Sequence, residues 1–134
     1  MRVVLDTNVL LQAVTAHNPL RPLFDAFVLE QFDLIVTTEI LLEYQELFGR
    51  KHKVEIAAEL YALVTEAPNL ILQETYYKWR LPFADPDDQK FVDCYVASNA
   101  DYLVSNDRHF GGLSAAGFPA VRVVSAEVFY NHMI

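Results

Sequence analysis

Four acidic side chains stand where a folded chain could bring carboxylates together, and they are Asp6, Glu43, Asp88 and Asp107. Several carboxylates in one crevice repel and raise one another's pKa unless hard cations neutralise them. Mg²⁺ and Mn²⁺ take oxygen ligands of this kind. The four residues therefore predict a site for Mg²⁺ or Mn²⁺, provided that the fold makes them meet.

Asp6 and Asp107 each follow an apolar run that predicts a buried strand. Asp6 ends the run Val3–Leu5, and Asp107 comes shortly after Tyr102–Val104. Turn and helix-cap chemistry alone would explain an aspartate at either place, because Asp favours such positions for local reasons. If the two strands are parallel neighbours, however, both carboxylates face one crevice at the carboxyl ends of the strands. We therefore expect Asp6 and Asp107 to share the site.

Glu43 is distinguished from its acidic neighbours by its position on a predicted helix. At about 100° per residue, Glu43 falls about 40° from Leu47 on the apolar side, whereas Glu39 and Glu46 lie roughly twice as far round. A carboxylate at the rim of a core usually meets a cation or a hydrogen-bond donor. The helical geometry therefore selects Glu43 for the site and assigns the other two to a solvated face.

Asp88 lies in the first turn of a second predicted helix, where the helix dipole alone would favour a carboxylate. It also shares a stripe with Phe91, Val92 and Tyr95, which directs it over the core. Asp93 lies about 140° from Asp88 on the same wheel. We therefore place Asp88 in the site and give Asp93 a supporting role.

The chain has 134 residues, of which 53% are hydrophobic and 13% aromatic. This is enough apolar surface for one core, and we expect one domain over residues 1–134. Cys94 is the only cysteine, so no internal disulfide can form. No apolar run is long enough for a membrane span, and the start of the chain lacks the features of a secretory signal. A soluble, cytoplasmic protein is expected.

The formal net charge of -8 argues against a basic nucleic-acid-binding module, in which clustered Lys and Arg neutralise phosphates. An acidic protein can still act on RNA when divalent cations fill its carboxylate site, because the ions reverse the local sign of charge.

Strands alternate with helices along the chain. Strands are predicted over residues 2–6, 33–37, 70–72, 102–105 and 121–124. Helices are predicted over residues 9–14, 21–30, 38–49, 54–66 and 85–99, with Thr38 and Asp85 as N-caps, Pro86 at a first helical position, and Gly49 as a stop. Such alternation predicts a three-layer α/β/α sandwich with a central, mainly parallel sheet of four to five strands.

Three segments, in this order and spacing, resemble the PIN-domain family: VVLDTNVLL, TTEILLEYQEL and DPDDQKFVDCYVASNADYLVSNDRHF. The resemblance covers nearly the whole chain. It implies a small α/β protein that cleaves single-stranded RNA with Mg²⁺ or Mn²⁺. Many such proteins are toxins of prokaryotic type II toxin-antitoxin pairs, so the resemblance also implies an antitoxin partner and a homodimer.

The positions that match the family's acids and their polar neighbours are Asp6, Asn8, Glu43, Asp88, Ser105 and Asp107. The resemblance implies that Asp6, Asp88 and Asp107 hold metal directly or through water. Glu43 would complete the ligand shell or orient the attacking water. Asp93 is an acid that only part of the family carries. The implied reaction is hydrolysis with one or two bound cations and no covalent enzyme intermediate.

Two other functions are compatible with parts of the sequence. An aspartate-nucleophile phosphatase also has an Asp after its first strand, but it generally needs a second Asp two residues later, where this chain has Asn8. A catalytically weak or inactive scaffold that binds RNA or protein would keep the same fold. The presence of all four acids favours the nuclease.

Overall fold

The computed structural model describes residues 1–75, 88–107, 110 and 121–134. Its strands are β1 (Arg2–Leu5), β2 (Asp33–Val36), β3 (Leu70–Leu72), β4 (Tyr102–Val104) and β5 (Val123–Val124). The helices of the described residues are α1 (Thr7–Ala13), α2 (Arg21–Val28), α3 (Thr38–Lys51), α4 (Val54–Thr65), α5 (Gln89–Ser98) and α6 (Ala126–Met133). The predicted alternation of strands and helices is confirmed.

The five strands form one parallel sheet in the order β3-β2-β1-β4-β5. From the central β1 the chain moves outward through β2 and β3, then returns to place β4 on the other side of β1. The direction of strand addition therefore reverses between β1 and β4, which makes their carboxyl ends the expected place for a ligand. Helices flank the sheet, and the predicted α/β/α fold is confirmed.

The central strands are continuous apolar runs because a parallel sheet covered by helices is buried on both faces. Val3, Leu34 and Leu103, one from each of β1, β2 and β4, have no exposed surface. The last helix belongs to the same core: the Phe129 ring meets Phe32 edge to face, with 5.3 Å between ring centroids. None of the helices in the described ranges has both the length and the apolar character needed to cross a bilayer.

Helix α3 differs from its prediction at both ends. Its N-cap is Thr37, whose hydroxyl accepts a hydrogen bond from the backbone N–H of Ile40 at 3.2 Å, so the prediction of Thr38 was wrong by one residue. The helix continues through Gly49 to Lys51, and its C-cap, His52, is extended. A glycine inside a helix costs only about 1 kcal/mol, which the packing of the flanking turns can offset.

Helix α5 ends as its sequence predicts. Asn99 follows Ser98 in the left-handed conformation, with φ 53°, which asparagine tolerates better than most residues. The predicted start of this helix at Asp85 and Pro86 lies outside the described residues.

Candidate active site

Asp6 is the first residue after β1, and its side chain is only 5% exposed. Oδ1 accepts the backbone N–H of Asn8 at 3.4 Å, so Asp6 caps α1, which begins at Thr7 rather than at the predicted Val9. Oδ2 accepts a hydrogen bond from Ser105 Oγ at 2.7 Å. Capping and membership of a site are therefore compatible, because they use different carboxylate oxygens.

Ser105 connects the two aspartates at the strand ends. While its hydroxyl donates to Asp6, its Oγ accepts the backbone N–H of Asp107 at 3.0 Å. The underlying geometry is the parallel pairing of β1 with β4, in which Leu5 lies opposite Val104. The predicted adjacency of these strands is confirmed, and it brings Asp6 and Asp107 to one edge of the sheet.

A cavity of about 240 Å³ opens at this edge, and five of its six lining residues are polar: Asp6, Asn8, Val9, Gln12, Asn106 and Asp107. Mg²⁺ typically binds proteins through one or two carboxylates and keeps several waters for the rest of its shell. Two carboxylates and several amide groups around a cavity of this size match that requirement. The lining residues therefore fit a single hard divalent cation.

Burial raises the pKa of Asp6 above its ordinary value of 3.8. Hydrogen bonds from Ser105 and from the Asn8 backbone lower that pKa, while the negative charge of Asp107 raises it. The effects that raise the pKa outweigh those that lower it. The surroundings of Asp6 therefore do not neutralise the charge of its ionised carboxylate. A divalent cation would supply the missing charge.

Glu43 does not line the Asp6–Asp107 cavity. Its Oε2 lies 3.0 Å from Lys90 Nζ, which joins α3 to α5 by an ion pair. A separate groove of about 470 Å³ runs along α3 beside this pair, lined by Glu39, Leu42, Glu43, Glu46, Leu47, Arg50 and Lys90. The cation that Glu43 contacts at the rim of the core is therefore the ammonium of Lys90.

Asp88 is half-buried and immediately precedes α5. Asp93 is only 5% exposed, and its Oδ1 accepts a hydrogen bond from Gln89 Nε2 at 3.0 Å. The helical wheel underestimated the burial of Asp93 because α5 is buried on more than one side, over all residues from Phe91 to Tyr95. Asp93 is therefore as buried as Asp6 and more buried than Asp88.

Among the residues that the structure describes, no three His, Cys, Asp or Glu side chains form a group that could hold a metal ion. The structure thus brings Asp6 and Asp107 together, with Ser105 between them and Asn8 in the same cavity. It does not gather all four predicted acids into one group of ligands.

Tyr44 is a further residue at this site, which the sequence analysis did not select. Its hydroxyl donates to the backbone carbonyl of Leu5 at 2.6 Å, one residue before Asp6. Burial raises the pKa of Tyr44 well above 10, and the acidic groups Cys94, Asp6 and Glu43 raise it further when they are ionised. Tyr44 therefore fixes α3 beside the end of β1, within electrostatic reach of both Asp6 and Glu43.

Replacing Tyr44 with phenylalanine is expected to cost about 1–2 kcal/mol of folding free energy. The substitution keeps the ring but removes a buried hydrogen bond, and such bonds contribute about 0.5–1.5 kcal/mol, with a further cost when a buried partner is left unpaired. Urea unfolding of Tyr44→Phe against the wild type measures the loss. Tyr61→Phe, on α4, is a control with a less buried ring, and an equal loss there would contradict a specific role for Tyr44.

Replacing Ser105 with alanine is expected to weaken divalent-metal binding by about 10–100-fold, the usual effect of losing a residue that orients a metal ligand. The serine hydroxyl is the group that holds Asp6 and the Asp107 backbone together. Calorimetric titration with Mn²⁺ measures this effect. Ser105→Thr retains a hydroxyl and should restore most of the affinity, whereas equal binding by wild type and Ser105→Ala would show that the hydroxyl has no such role.

A chain in the crystal structure of VapBC2 from Rickettsia felis, bound to a DNA fragment from their promoter, has a similar fold. The two chains share 16% sequence identity with a TM-score of 0.59, and the alignment covers 93% of this chain and 98% of the other. No match to a curated protein sequence was found. The sequence profile of the PIN domain matches residues 2–109, most of the chain. Together with the parallel sheet and its acidic edge, this match shows that the chain belongs to the PIN domain family.

Proposed function

We propose that this protein is a metal-dependent endoribonuclease that hydrolyses RNA phosphodiester bonds beside Asp6 and Asp107. The observation that carries the proposal is the pair of aspartates, linked through Ser105, in a polar cavity at the point where strand order reverses. Membership of the PIN domain family supports a nuclease. The proposed metal is Mg²⁺ or Mn²⁺, because the cavity offers oxygen donors.

Asp6 and Asp107 would hold the cation, which supplies a Lewis acid for the phosphate and lowers the pKa of an attacking water. Hydrolysis forms one P–O bond from water and breaks the P–O bond to the leaving ribose oxygen, which takes a proton. Ser105 orients the Asp6 carboxylate, and Asn8 lies at the cavity where it can donate to a phosphate oxygen. These residues position and stabilise, and none needs to form a covalent bond with RNA.

Three further acids have proposed roles at the margin of this centre. Asp88 would complete the metal shell directly or through water, as the resemblance to the family implies. Glu43, on α3, would complete the ligand shell or orient the attacking water. The Tyr44 hydroxyl holds this helix against the end of β1. Asp93, buried on α5, would have a supporting role.

Cleavage of a panel of labelled structured and unstructured RNAs tests the proposal. The purified protein is expected to cut at least one RNA in Mg²⁺ or Mn²⁺ and to cut none in EDTA, with activity restored when metal is added back. Cutting that survives EDTA would contradict a metal-dependent mechanism. No cutting across the panel, together with no detectable metal binding by calorimetry, would favour the inactive scaffold.

A phosphatase with an aspartate nucleophile is the second enzymatic candidate. It would form an aspartyl phosphate at Asp6, and acid quenching followed by mass spectrometry would detect the added phosphoryl group. The position of Asn8 argues against it, because an amide cannot supply the general acid that such enzymes take from a second aspartate. Detection of the adduct would replace the nuclease proposal.

We further propose that the protein is a cytoplasmic toxin, inhibited by an antitoxin and forming a homodimer. The similar fold found in VapBC2 supports this proposal. The net charge of -8 suits a partner with a basic segment, which would neutralise the carboxylates of the Asp6–Asp107 cavity. Light scattering of the purified chain tests the homodimer, and a monomer at micromolar concentration would contradict it.

A further inference from the structure

The residues that directly follow the five strands are all polar, and they form one row along the carboxyl edge of the sheet. The parallel register of β1 and β2 places Asp6 opposite Thr37. The register of β2 and β3 places Thr37 beside Gln73, whose backbone N–H donates to the Val36 carbonyl at 2.7 Å. Across the sheet, the row is Gln73, Thr37, Asp6, Ser105 and Ser125. The polar edge therefore continues from Asp6 over β2 and β3.

A cavity of about 450 Å³ opens at the carboxyl ends of β2 and β3, and we call it the β2–β3 cavity. Adjacent strands lie about 4.8 Å apart, so the backbones of Thr37 and Gln73 are about 5 Å and about 10 Å from that of Asp6. An RNA with one phosphate at Asp6 therefore has a neighbouring nucleotide within reach of this cavity. The lining is polar throughout: Thr37, Thr38, Glu39, Gln73, Glu74 and Thr75.

We propose that the β2–β3 cavity binds the base of a nucleotide next to the scissile phosphate, and that it prefers guanine. This inference rests on the proposed nuclease function and specifies the substrate of that same site. Proteins that recognise RNA by sequence usually read the unstacked bases of single-stranded segments on their hydrogen-bonding edges. The volume of the cavity lies within the range of sites for small molecules, and it is large enough for one base.

The charges of the lining favour a base over a phosphate. Glu39 and Glu74 are both exposed, and none of the lining residues in the described ranges is Lys or Arg. Carboxylates repel a phosphate at short range, because both groups are negative. A neutral base avoids this repulsion and offers N–H groups from which a carboxylate can accept hydrogen bonds.

Guanine matches this lining because its Watson–Crick edge carries two adjacent N–H donors beside one carbonyl. The two oxygens of one carboxylate can accept from both donors at once, while a threonine hydroxyl can donate to the carbonyl. Adenine and cytosine each have a ring-nitrogen acceptor beside their amino group on this edge. Uracil has its N–H between two carbonyls. Each of the other three bases would therefore turn an acceptor toward the carboxylate.

Glu39 is the carboxylate that we assign to the two guanine donors. It lies in the first turn of α3, two residues after Thr37, whose hydroxyl accepts the backbone N–H of Ile40 at 3.2 Å. This cap fixes the start of the helix at the end of β2, the strand beside β1. Glu74 follows β3, which is one strand farther from Asp6, and it adds negative charge to the cavity.

Glu46 provides a matched control on the same helix. Glu39 and Glu46 both line the groove along α3, but of the two only Glu39 also lines the β2–β3 cavity. The Glu46 side chain is 57% exposed, and its ion pair with Arg50 is of the exposed kind that contributes little free energy. Replacing either glutamate with glutamine removes one negative charge from α3.

Cleavage of a set of single-stranded RNAs in Mn²⁺ tests the inference. The nucleotides on the two sides of the cut bond are varied one at a time to carry guanine, adenine, cytosine, uracil or hypoxanthine. Hypoxanthine keeps the carbonyl and the ring N–H of guanine but lacks its amino group. At one of the two positions, the wild type should cleave the guanine RNA with a kcat/KM on the order of tenfold above the others, the discrimination typical of one bidentate contact to a base edge.

The same RNAs are then compared among the variants. Glu46→Gln should keep the preference for guanine, whereas Glu39→Gln should cleave the five RNAs of the set at similar rates. A preference that persists in Glu39→Gln, or one that is lost equally in Glu46→Gln, would overturn the inference and leave the nuclease proposal in place. So would a wild type that prefers another base, shows no preference at either position, or cleaves hypoxanthine and guanine RNAs equally. Absence of cleavage of any RNA by the wild type would instead overturn both proposals.

Discussion

Asp6→Asn is expected to abolish RNA cleavage and, in the absence of metal, to make the folded protein more stable at neutral pH. The loss of activity should be on the order of 100-fold or more, because a bound metal contributes several kcal/mol at the transition state and each ~1.36 kcal/mol is a tenfold change in rate. Asparagine is as good an N-cap as aspartate. Its one amide oxygen can accept from the Asn8 N–H, and its NH₂ group can donate to Ser105 Oγ in place of the hydrogen bond that Asp6 Oδ2 accepts. The substitution therefore removes the charge while it keeps the local structure.

The gain in stability follows from the sign of the Asp6 pKa shift. Burial raises the pKa in the folded protein above its ordinary value of 3.8, so the folded state holds this proton more tightly than the unfolded state. The stability that the protonated group contributes is complete below pH 3.8 and is lost as the pH rises through the folded pKa. At neutral pH, wild-type Asp6 is a buried charge with a cost that Asp6→Asn does not have.

Urea unfolding in EDTA, at several pH values, measures this difference. We expect Asp6→Asn to be more stable than the wild type by about 0.5–2 kcal/mol at pH 7, a gain typical of substitutions that relieve a strained functional site. The gain should shrink as the pH falls toward 3.8. Asp25→Asn, which removes an exposed carboxylate of α2, is the control for the loss of one negative charge. A variant Asp6→Asn that is less stable than the wild type at pH 7 would contradict the electrostatic account of the cavity.

Divalent metal is expected to stabilise the wild-type protein and to leave Asp6→Asn almost unchanged. A ligand that binds only the folded state adds about 2.7 kcal/mol at a concentration 100 times its dissociation constant. The cation should also remove the mutual repulsion of Asp6 and Asp107, which contributes to the raised pKa of Asp6. The stabilisation of the wild type by bound metal is at least as large as the gain expected from Asp6→Asn. The wild type should therefore become the more stable of the two proteins when metal is added.

Thermal or urea unfolding with increasing Mg²⁺ or Mn²⁺ measures this stabilisation. Because the chain carries a net charge of -8, any salt can stabilise it by screening self-repulsion. NaCl at matched ionic strength is therefore the control. Equal stabilisation of the wild type and Asp6→Asn by the divalent ion would place the metal somewhere other than the Asp6–Asp107 cavity.

The part of the site at the sheet edge could be predicted because strands are recognised from short apolar runs in the sequence. The apolar run before Asp6 and the run before Ser105 each indicate a buried strand, and parallel topology then brings their carboxyl ends to one edge. The structure confirms this pairing through Leu5 and Val104. Helix boundaries were less exact, since the choice between Thr37 and Thr38 as N-cap depends on backbone geometry that neither residue type determines.

Contacts between distant helices could not be predicted in this way. The Lys90–Glu43 ion pair joins residues far apart in sequence and depends on how α3 and α5 pack. The burial of Asp93 follows from α5 being covered on more than one side, which a helical wheel cannot represent. Tyr44 fits an apolar stripe equally well whether or not its hydroxyl finds a partner.

The most direct test of the Asp6–Asp107 centre is the single-turnover cleavage rate of one susceptible RNA in Mg²⁺ by the wild type, Asp6→Asn, Asp107→Asn and Asp25→Asn. Our account predicts rapid cleavage by the wild type and Asp25→Asn, and at least a 100-fold slower reaction for the two cavity variants. Circular dichroism establishes that each variant is folded. Wild-type rates in folded Asp6→Asn and Asp107→Asn would contradict the account and locate the cleavage chemistry elsewhere.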